Sequence, residues 1–445
     1  MKSKDSLLHD SVYKLFGKFL VTSVAGMLAI SFYILVDTIF IGRGIGSDGL
    51  AALNIALPAF TLLTATGLLI GIGGATALSI SRGQNETSKL NTIFTHASGL
   101  SLLIGVLYLV FGMIFLEKIG FMLGASKNNI YLVKQYLGAI LSFSFSFVLV
   151  NTLTVFIRND KAPKYAMWTT ITGGLTNIVL DAVFIFVFNW GMFGAAFATS
   201  LSSLLSLSLI IYYFTKGNTT LRLKKVKVDL SIIRRIFSNG FPSFIIEMSS
   251  GIVIFAFNIA LLKSIGEIGV SAYSIIANIS LICVSIFTGI AQAIQPLISI
   301  NYGAKLNERV KKVRNMGLIT ALALGIIFFV LGNIFPKQIV SLFIENNKVL
   351  TDITATAIKF YFIAFIVMGI NIVIGAYFQS IEQAFLSTVI SIGRGVGFIL
   401  VGLFVLPYFF SVNGVWLTVP FAEICTFFMC IAIYYFKYRS RTNEL

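Results

Sequence analysis

Four carboxylates stand where carboxylates are expensive. Of the seventeen Asp and Glu residues, Asp37, Asp181, Glu247 and Glu423 fall well inside long apolar runs. A charged side chain at a bilayer centre costs at least about 2.5–3.5 kcal/mol on insertion scales, so each needs a reason. Asp37 interrupts "SFYILVDTIFIG" with Tyr33 four residues before it, and Asp181 in "TNIVLDAVFIF" follows Asn177 by four. Residues four apart share a helical face, so each acid has a polar neighbour pointing the same way. With Thr199 of "GAAFATS", this set offers two carboxylates, an amide oxygen and a hydroxyl. Those are the hard oxygen ligands a small cation such as Na+ prefers. Two neighbouring carboxylates also repel when both are ionised, so the same group can take a proton instead. The competing reading is that each acid only hydrogen-bonds a neighbouring helix. Two acids in one half of the chain, each with a polar partner at i−4, favour function.

The elements that must hold these groups are membrane helices. The 445 residues are 57% hydrophobic and 11% charged, far from the roughly 25% charged of a soluble domain. Apolar runs long enough to cross a hydrocarbon core recur near 13–40, 52–80, 93–116, 130–157, 164–188, 193–214, 236–262, 270–299, 313–335, 353–378, 386–407 and 413–436. A membrane barrel would show alternating segments of about ten residues, so the chain reads as an all-α integral membrane protein of twelve spans. The first run is too long for a signal peptide and lacks a small-residue cleavage site, and is read as a helix that stays.

The net charge of +16 follows topology rather than a nucleic-acid footprint. With the N-terminus inside, 24 Lys and Arg fall on the cytoplasmic side and eight on the external side, leaving Arg394 within a span. Both termini are therefore expected in the cytoplasm of a multi-pass protein of the cell membrane. The basic segments would meet anionic lipid there. Cys283, Cys425 and Cys430 lie in spans with no metal or disulfide spacing, and read as packing residues. No GxxxxGK[ST] pattern occurs, which argues against direct use of ATP. His9 in the N-terminal tail and His96 near the start of the third run give little support to a histidine proton relay.

Laid on itself with a shift of 220 residues, the chain matches without a gap: Gly46 with Gly266, Ser79 with Ser299, Gly83 with Gly303, Asn151 with Asn371, Gly194 with Gly414. Each repeat has six spans, so two lobes are expected, related by a pseudo-two-fold axis along the membrane normal. They are an N-terminal lobe 1–217, a basic cytoplasmic linker 218–235 and a C-terminal lobe 236–445. Duplicated halves of this kind mark transporters that work by alternating access.

The second half does not copy the acid pair, because Phe257 stands opposite Asp37 and Val401 opposite Asp181. The ion site is therefore expected in the N-terminal lobe. The second half has Glu247, Gln292, Gln295, Arg394 and Glu423 instead. Arg394 and Glu423, on neighbouring spans, suit a structural ion pair better than a catalytic role. Glu247, five residues after Pro242, is the better candidate for a cationic substrate or a second proton, with Gln292 and Gln295 as further candidates for the cavity wall.

"FYILVDTIFIGRGIGSDGLAALNIALP", "TNIVLDAVFIF" with "GMFGAAFATS", "AQAIQPLISINYGA" and "GVWLTVPFAE" resemble the multidrug and toxic compound extrusion (MATE) family, in its DinF/MepA-like bacterial branch. The resemblance covers nearly the whole chain. It implies that Asp37, Asn177, Asp181 and Thr199 form the cation site of the N-terminal lobe, with lobe-lining tyrosines at Tyr33 and Tyr136. Many relatives have a proline near the start of the first helix, proposed to let it bend; here that position is Thr22, with Pro242 as its repeat mate. The implied protein is no enzyme and has no cofactor beyond its coupling ion. It is a cation-coupled multidrug efflux antiporter, expected to act as a monomer, that exports organic, often cationic, amphipathic drugs in exchange for Na+ or H+. The rivals are a flippase for a lipid-linked saccharide, a channel-like path, and a membrane scaffold or receptor. Only Arg394 is basic deep in a span, which ranks the flippase second.

Overall fold

Two glycines and two turn residues show the duplication in the backbone itself. Gly46 and Gly266, 220 positions apart, both adopt positive φ (87° and 73°) where one long helix ends and the next begins. Asn85 and Lys305, again 220 apart, repeat the device at φ 62° and 59°. Glycine enters the left-handed region freely, whereas other L residues do so only at single turn positions.

The computed structural model describes residues 6–217, 219–343 and 347–442, with side chains to 436, and every regular element in them is helical. Lys2, Lys4 and the side chains of Lys437, Arg439 and Arg441, counted above toward the cytoplasmic side, lie outside the described residues. The long apolar helices are α1 (Val12–Gly44), α2 (Ser47–Gly83), α3 (Thr87–Ile114), α4 (Ile130–Ser142 with Ser144–Asn159), α5 (Pro163–Val187) and α6 (Gly191–Thr215). Then come α7 (Leu230–Ile265), α8 (Glu267–Gly303), α9 (Asn307–Ile334), α10 (Lys348–Ser380), α11 (384–410) and α12 (412–436). Among the described residues ten helices are long and apolar enough to span on their own; counting the bent pair of α4 once and splitting 384–436 at Ser411 (φ 49°) gives the expected twelve.

The helices depart from regularity where their sequences dictate it. The two pieces of α4 meet at 53°, and the hydroxyl of Ser144 donates to the Gly105 carbonyl at 2.8 Å. α1 runs unbroken through Thr22, whose hydroxyl donates back to Lys18 O at 2.8 Å. α5 widens into a π-helical turn at Ala182–Val187 immediately after Asp181, and α11 does the same at Gly393–Gly397 around Arg394. Such turns interrupt the regular bonding ladder and are frequent at functional sites.

The contacts divide the chain into two units, Met1–Met248 with Ser299–Asn307, and Ser249–Ile298 with Glu308–Leu445. In the first, α2 and α4 approach closely because Gly67 and Gly71 offer no side chain. A Cβ at Gly71 would lie 3.0 Å from Thr152 Cα. The hydroxyl of Thr152 donates to Gly67 O at 3.0 Å and accepts from Ser101 at 2.9 Å. Small residues spaced by four let membrane helices touch backbone to backbone.

The basic linker is laid along α3 of the same unit. Asn91 Oδ1 accepts from Arg222 N (2.8 Å), Thr95 Oγ1 from Lys224 N (3.1 Å) and His96 Nε2 from Asp229 N (3.0 Å). His96 Nδ1 lies 2.8 Å from Thr92 O, so the imidazole carries its proton there and accepts through Nε2. His96 thus fastens the linker to α3.

Candidate functional site

The four expected ligands arrive on three helices, Asp37 on α1, Asn177 and Asp181 on α5 and Thr199 on α6. On α5, Gly174 leaves room for the ring of Tyr33 on α1; a Cβ there would lie 3.1 Å from Tyr33 Cδ1. One turn further along α1, Asp37 faces Asp181. The two carboxyls are near enough to interact electrostatically. On α6, the Thr199 hydroxyl donates to Ala195 O at 3.1 Å and accepts from Asn177 Nδ2 at 3.2 Å. Asn177, Asp181 and Thr199 are all buried, at 1%, 0% and 8% exposure.

What these groups lack defines the site. Asp37 Oδ1, Asn177 Oδ1 and both Asp181 oxygens are buried with no hydrogen-bond partner among the described residues. Buried polar groups are nearly always satisfied, so four orphan oxygens in one place ask for a proton, a cation or water. The donor set of carboxylate, amide and hydroxyl oxygens suits a hard monovalent cation, and the carboxyl pair equally suits a shared proton. No group of three or more His, Cys, Asp or Glu placed to hold a metal ion occurs among the described residues.

Tyr136 of α4 is buried (4% exposed) and within electrostatic range of Asp37, Asp181 and Tyr33. Glu247 of α7 is within range of Tyr33. These six residues and Glu247 belong to one unit. Gln292 and Gln295 lie on α8 in the other unit, Gln295 buried and Gln292 half-buried. In that second unit Arg394 Nε stands 2.9 Å from Glu423 Oε1, and Asn371 Nδ2 donates to Glu423 Oε2 at 2.7 Å.

A second charged cluster escaped the sequence reading. Arg82, at the end of α2, donates through Nη2 to Asp160 Oδ1 and through Nη1 to Asn159 O, both at 2.8 Å. Tyr213 donates to Asp160 Oδ2 at 3.0 Å, and Ser79 to Asn159 Oδ1 at 2.7 Å. Side-chain exposures of 8% and 5% make the Arg82–Asp160 pair a buried one. In sequence, "SRG" and "RND" read only as basic helix ends.

Comparison with known proteins agrees with this architecture. The chain is 26% identical over 438 residues to a multidrug export protein MepA from Staphylococcus saprophyticus, covering 98% of this chain and 96% of that one. It superposes on the outward-facing structure of a multidrug resistance MATE transporter of the MOP superfamily with a TM-score of 0.93, 21% identity and full coverage of both chains. A MOP superfamily transporter from Pyrococcus furiosus, described as having a binding pocket of reversed polarity, matches with a TM-score of 0.89 and 22% identity over 97% of this chain and 98% of its own. At these identities the structural matches establish the shared two-lobe helical fold. The model of the MatE family matches residues 23–183 and 242–405, one stretch in each sequence repeat. The chain belongs to the MatE family.

Proposed function

We propose that this protein is a cation-coupled multidrug exporter, which moves organic, often cationic, amphipathic compounds out of the cell while Na+ or H+ moves inward by alternating access. The observation that carries this reading is the Asp37–Asp181 pair, two carboxyls from different helices with buried oxygens that no described donor satisfies. The names of the relatives supply the substrate class.

Asp37 and Asp181 hold the coupling ion, and Asn177 Oδ1 and Thr199 Oγ1 complete its ligands. Tyr33 and Tyr136 wall the site. Coupling then needs only differential affinity: the ion and the drug must each favour a different state of the transporter, and by linkage each weakens the other. The working unit is one chain with lobes 1–217 and 236–445, joined by the linker 218–235, with both termini cytoplasmic.

The test is ethidium efflux from proteoliposomes under separately imposed sodium and proton gradients, comparing wild type with Asp37→Asn. Extrusion against the dye gradient by wild type alone supports the reading, and the effective gradient names the ion. If neither gradient drives the dye, multidrug export is wrong; if Asp37→Asn pumps like wild type, the ion site is elsewhere.

A further inference from the structure

Arg394 is the single basic residue deep in a span, and most of its hydrogen-bonding capacity is unused. A guanidinium carries five N–H donors and no acceptor. Its nearest partner is Glu423, yet at 2.9 Å the Nε of Arg394 is out of line for a hydrogen bond to Oε1. No acceptor among the described residues reaches Nη1 or Nη2, and the side chain is 14% exposed. The outer edge of the fork is therefore open while the inner edge leans on a carboxylate.

Glu423 does not depend on Arg394 alone. Asn371 donates to its Oε2 at 2.7 Å and to its backbone carbonyl at 2.8 Å, which fixes the carboxylate from the opposite side. The helix under Arg394 is also unusual. It takes the π-helical turn Gly393–Gly397, and its glycines leave room for close neighbours: a Cβ would lie 2.8 Å from Met429 Cε at Gly393 and 2.7 Å from Ser249 Oγ at Gly395. Met429 and Ser249 thus pack against the backbone on either side of the arginine. Tyr361, held to Ser280 at 3.2 Å, lies within electrostatic range of both charges. The contact with Glu423 leaves the distal donors of the guanidinium exposed and without a protein acceptor among the described residues.

We propose that the distal edge of the Arg394 guanidinium is a binding site for a carboxylate carried by an amphipathic substrate, so that the second unit accepts zwitterions as well as the plain cations assigned above. Two parallel N–H donors match the two oxygens of a carboxylate, and Arg is favoured for such planar recognition. Glu423 and Asn371 then serve as positioning residues: they hold the inner edge so that the outer edge faces the ligand. The proposal rests on the multidrug reading for its ligand class, but not on ion coupling.

The test uses a rhodamine zwitterion with a free carboxylate and its ethyl ester, a plain cation of the same ring system. Fluorescence polarisation gives the affinity of each dye for detergent-purified full-length protein, with no gradient present. The variants are Arg394→Gln with Glu423→Gln, which neutralises both partners without leaving a lone buried charge, and Arg394→Lys, which keeps the charge and loses the fork. The ratio of zwitterion to ester affinity should fall about tenfold or more in the double variant and by less in Arg394→Lys. A ratio equal in wild type and the double variant, or a wild type that binds neither dye, overturns the proposal. Failure of driven ethidium efflux together with a ratio that falls in the double variant would instead overturn the export reading and leave the carboxylate site standing.

Discussion

Asn177 Nδ2 donates to Thr199 Oγ1 across 3.2 Å, and the Thr199 proton is already committed to the Ala195 carbonyl at 3.1 Å. The hydroxyl can therefore only accept from Asn177, which fixes the amide with its oxygen left over for the coupling ion. Thr199→Val keeps the shape and removes that acceptor. The ion then loses one ligand and the amide its anchor, and the half-saturating concentration of coupling ion for ethidium efflux should rise at least about tenfold, the cost of losing even an outer-shell partner. Thr199→Ser should restore it. An unchanged ion dependence in Thr199→Val would place Thr199 outside the site.

The Arg82–Asp160 pair makes a prediction about stability alone. Removing one partner of a buried ion pair strands the other, at a cost of about 3–5 kcal/mol. Asp160→Ala should therefore lower the unfolding free energy in detergent by that order. Tyr213→Phe removes one bond to a carboxylate that Arg82 still satisfies, and should cost about 1.5–3 kcal/mol at most. If thermal or denaturant unfolding ranks the two the other way, the charge pair is not what holds the ends of α2, α4 and α6 together.

Much of the site was legible because a carboxylate in an apolar run is costly enough to be rare. Asp37 and Asp181 stood out for that reason, and helical spacing attached Tyr33 and Asn177 to them. The repeat was legible because a turn needing positive φ favours glycine, which kept Gly46 and Gly266 in register. Contacts between residues distant in sequence left no such trace. His96 gave no sign that it would hold Asp229, 133 positions away, and Arg82 looked like any basic residue at a membrane boundary. The π-helical turns beside Asp181 and around Arg394 were equally silent, since either stretch also reads as ordinary helix. The open edge of Arg394 depends on where Asn371 sits, which spacing along one helix does not determine.

Backbone contact between α2 and α4 predicts opposite signs for two similar substitutions. Gly to Ala in a helix gains up to about 1 kcal/mol from propensity. At Gly99 of α3 a Cβ meets nothing within 4 Å, so Gly99→Ala should keep that gain. At Gly71 the new Cβ lies 3.0 Å from Thr152 Cα and 3.1 Å from Thr152 O, so the helices must part. Overpacking costs about 1–3 kcal/mol, which outweighs the propensity gain. Gly71→Ala should lower the melting temperature and Gly71→Val lower it further, while Gly99→Ala leaves it equal or higher. A stabilising Gly71→Ala would mean the helices separate at no cost.

The linker offers a test that needs no transport. Each hydrogen bond that fastens it nets about 0.5–1.5 kcal/mol, so losing the Asn91 and Thr95 acceptors together should raise local opening roughly tenfold. Lys224, Lys225 and Lys227 are exposed on the linker. Trypsin should therefore cut the Asn91→Ala, Thr95→Ala double variant correspondingly faster, and His96→Ala should extend the cut toward Asp229. The start of α7 adds a pH dependence with a definite sign. Ser231 donates to Asp229 Oδ1 through both its hydroxyl (2.6 Å) and its amide (2.9 Å), and holds that carboxyl below its ordinary range. Because the folded value is the depressed one, the cap contributes fully above the ordinary carboxylate value of about 3.9. Its contribution is lost only as pH falls through the depressed value. Corrected for intrinsic rates, hydrogen exchange at the Ser231 and Ile232 amides should stay flat from neutrality down to about pH 4 and accelerate below it. In Asp229→Asn the acid step should vanish. Acceleration beginning near neutrality would show that the pH response does not come from the cap.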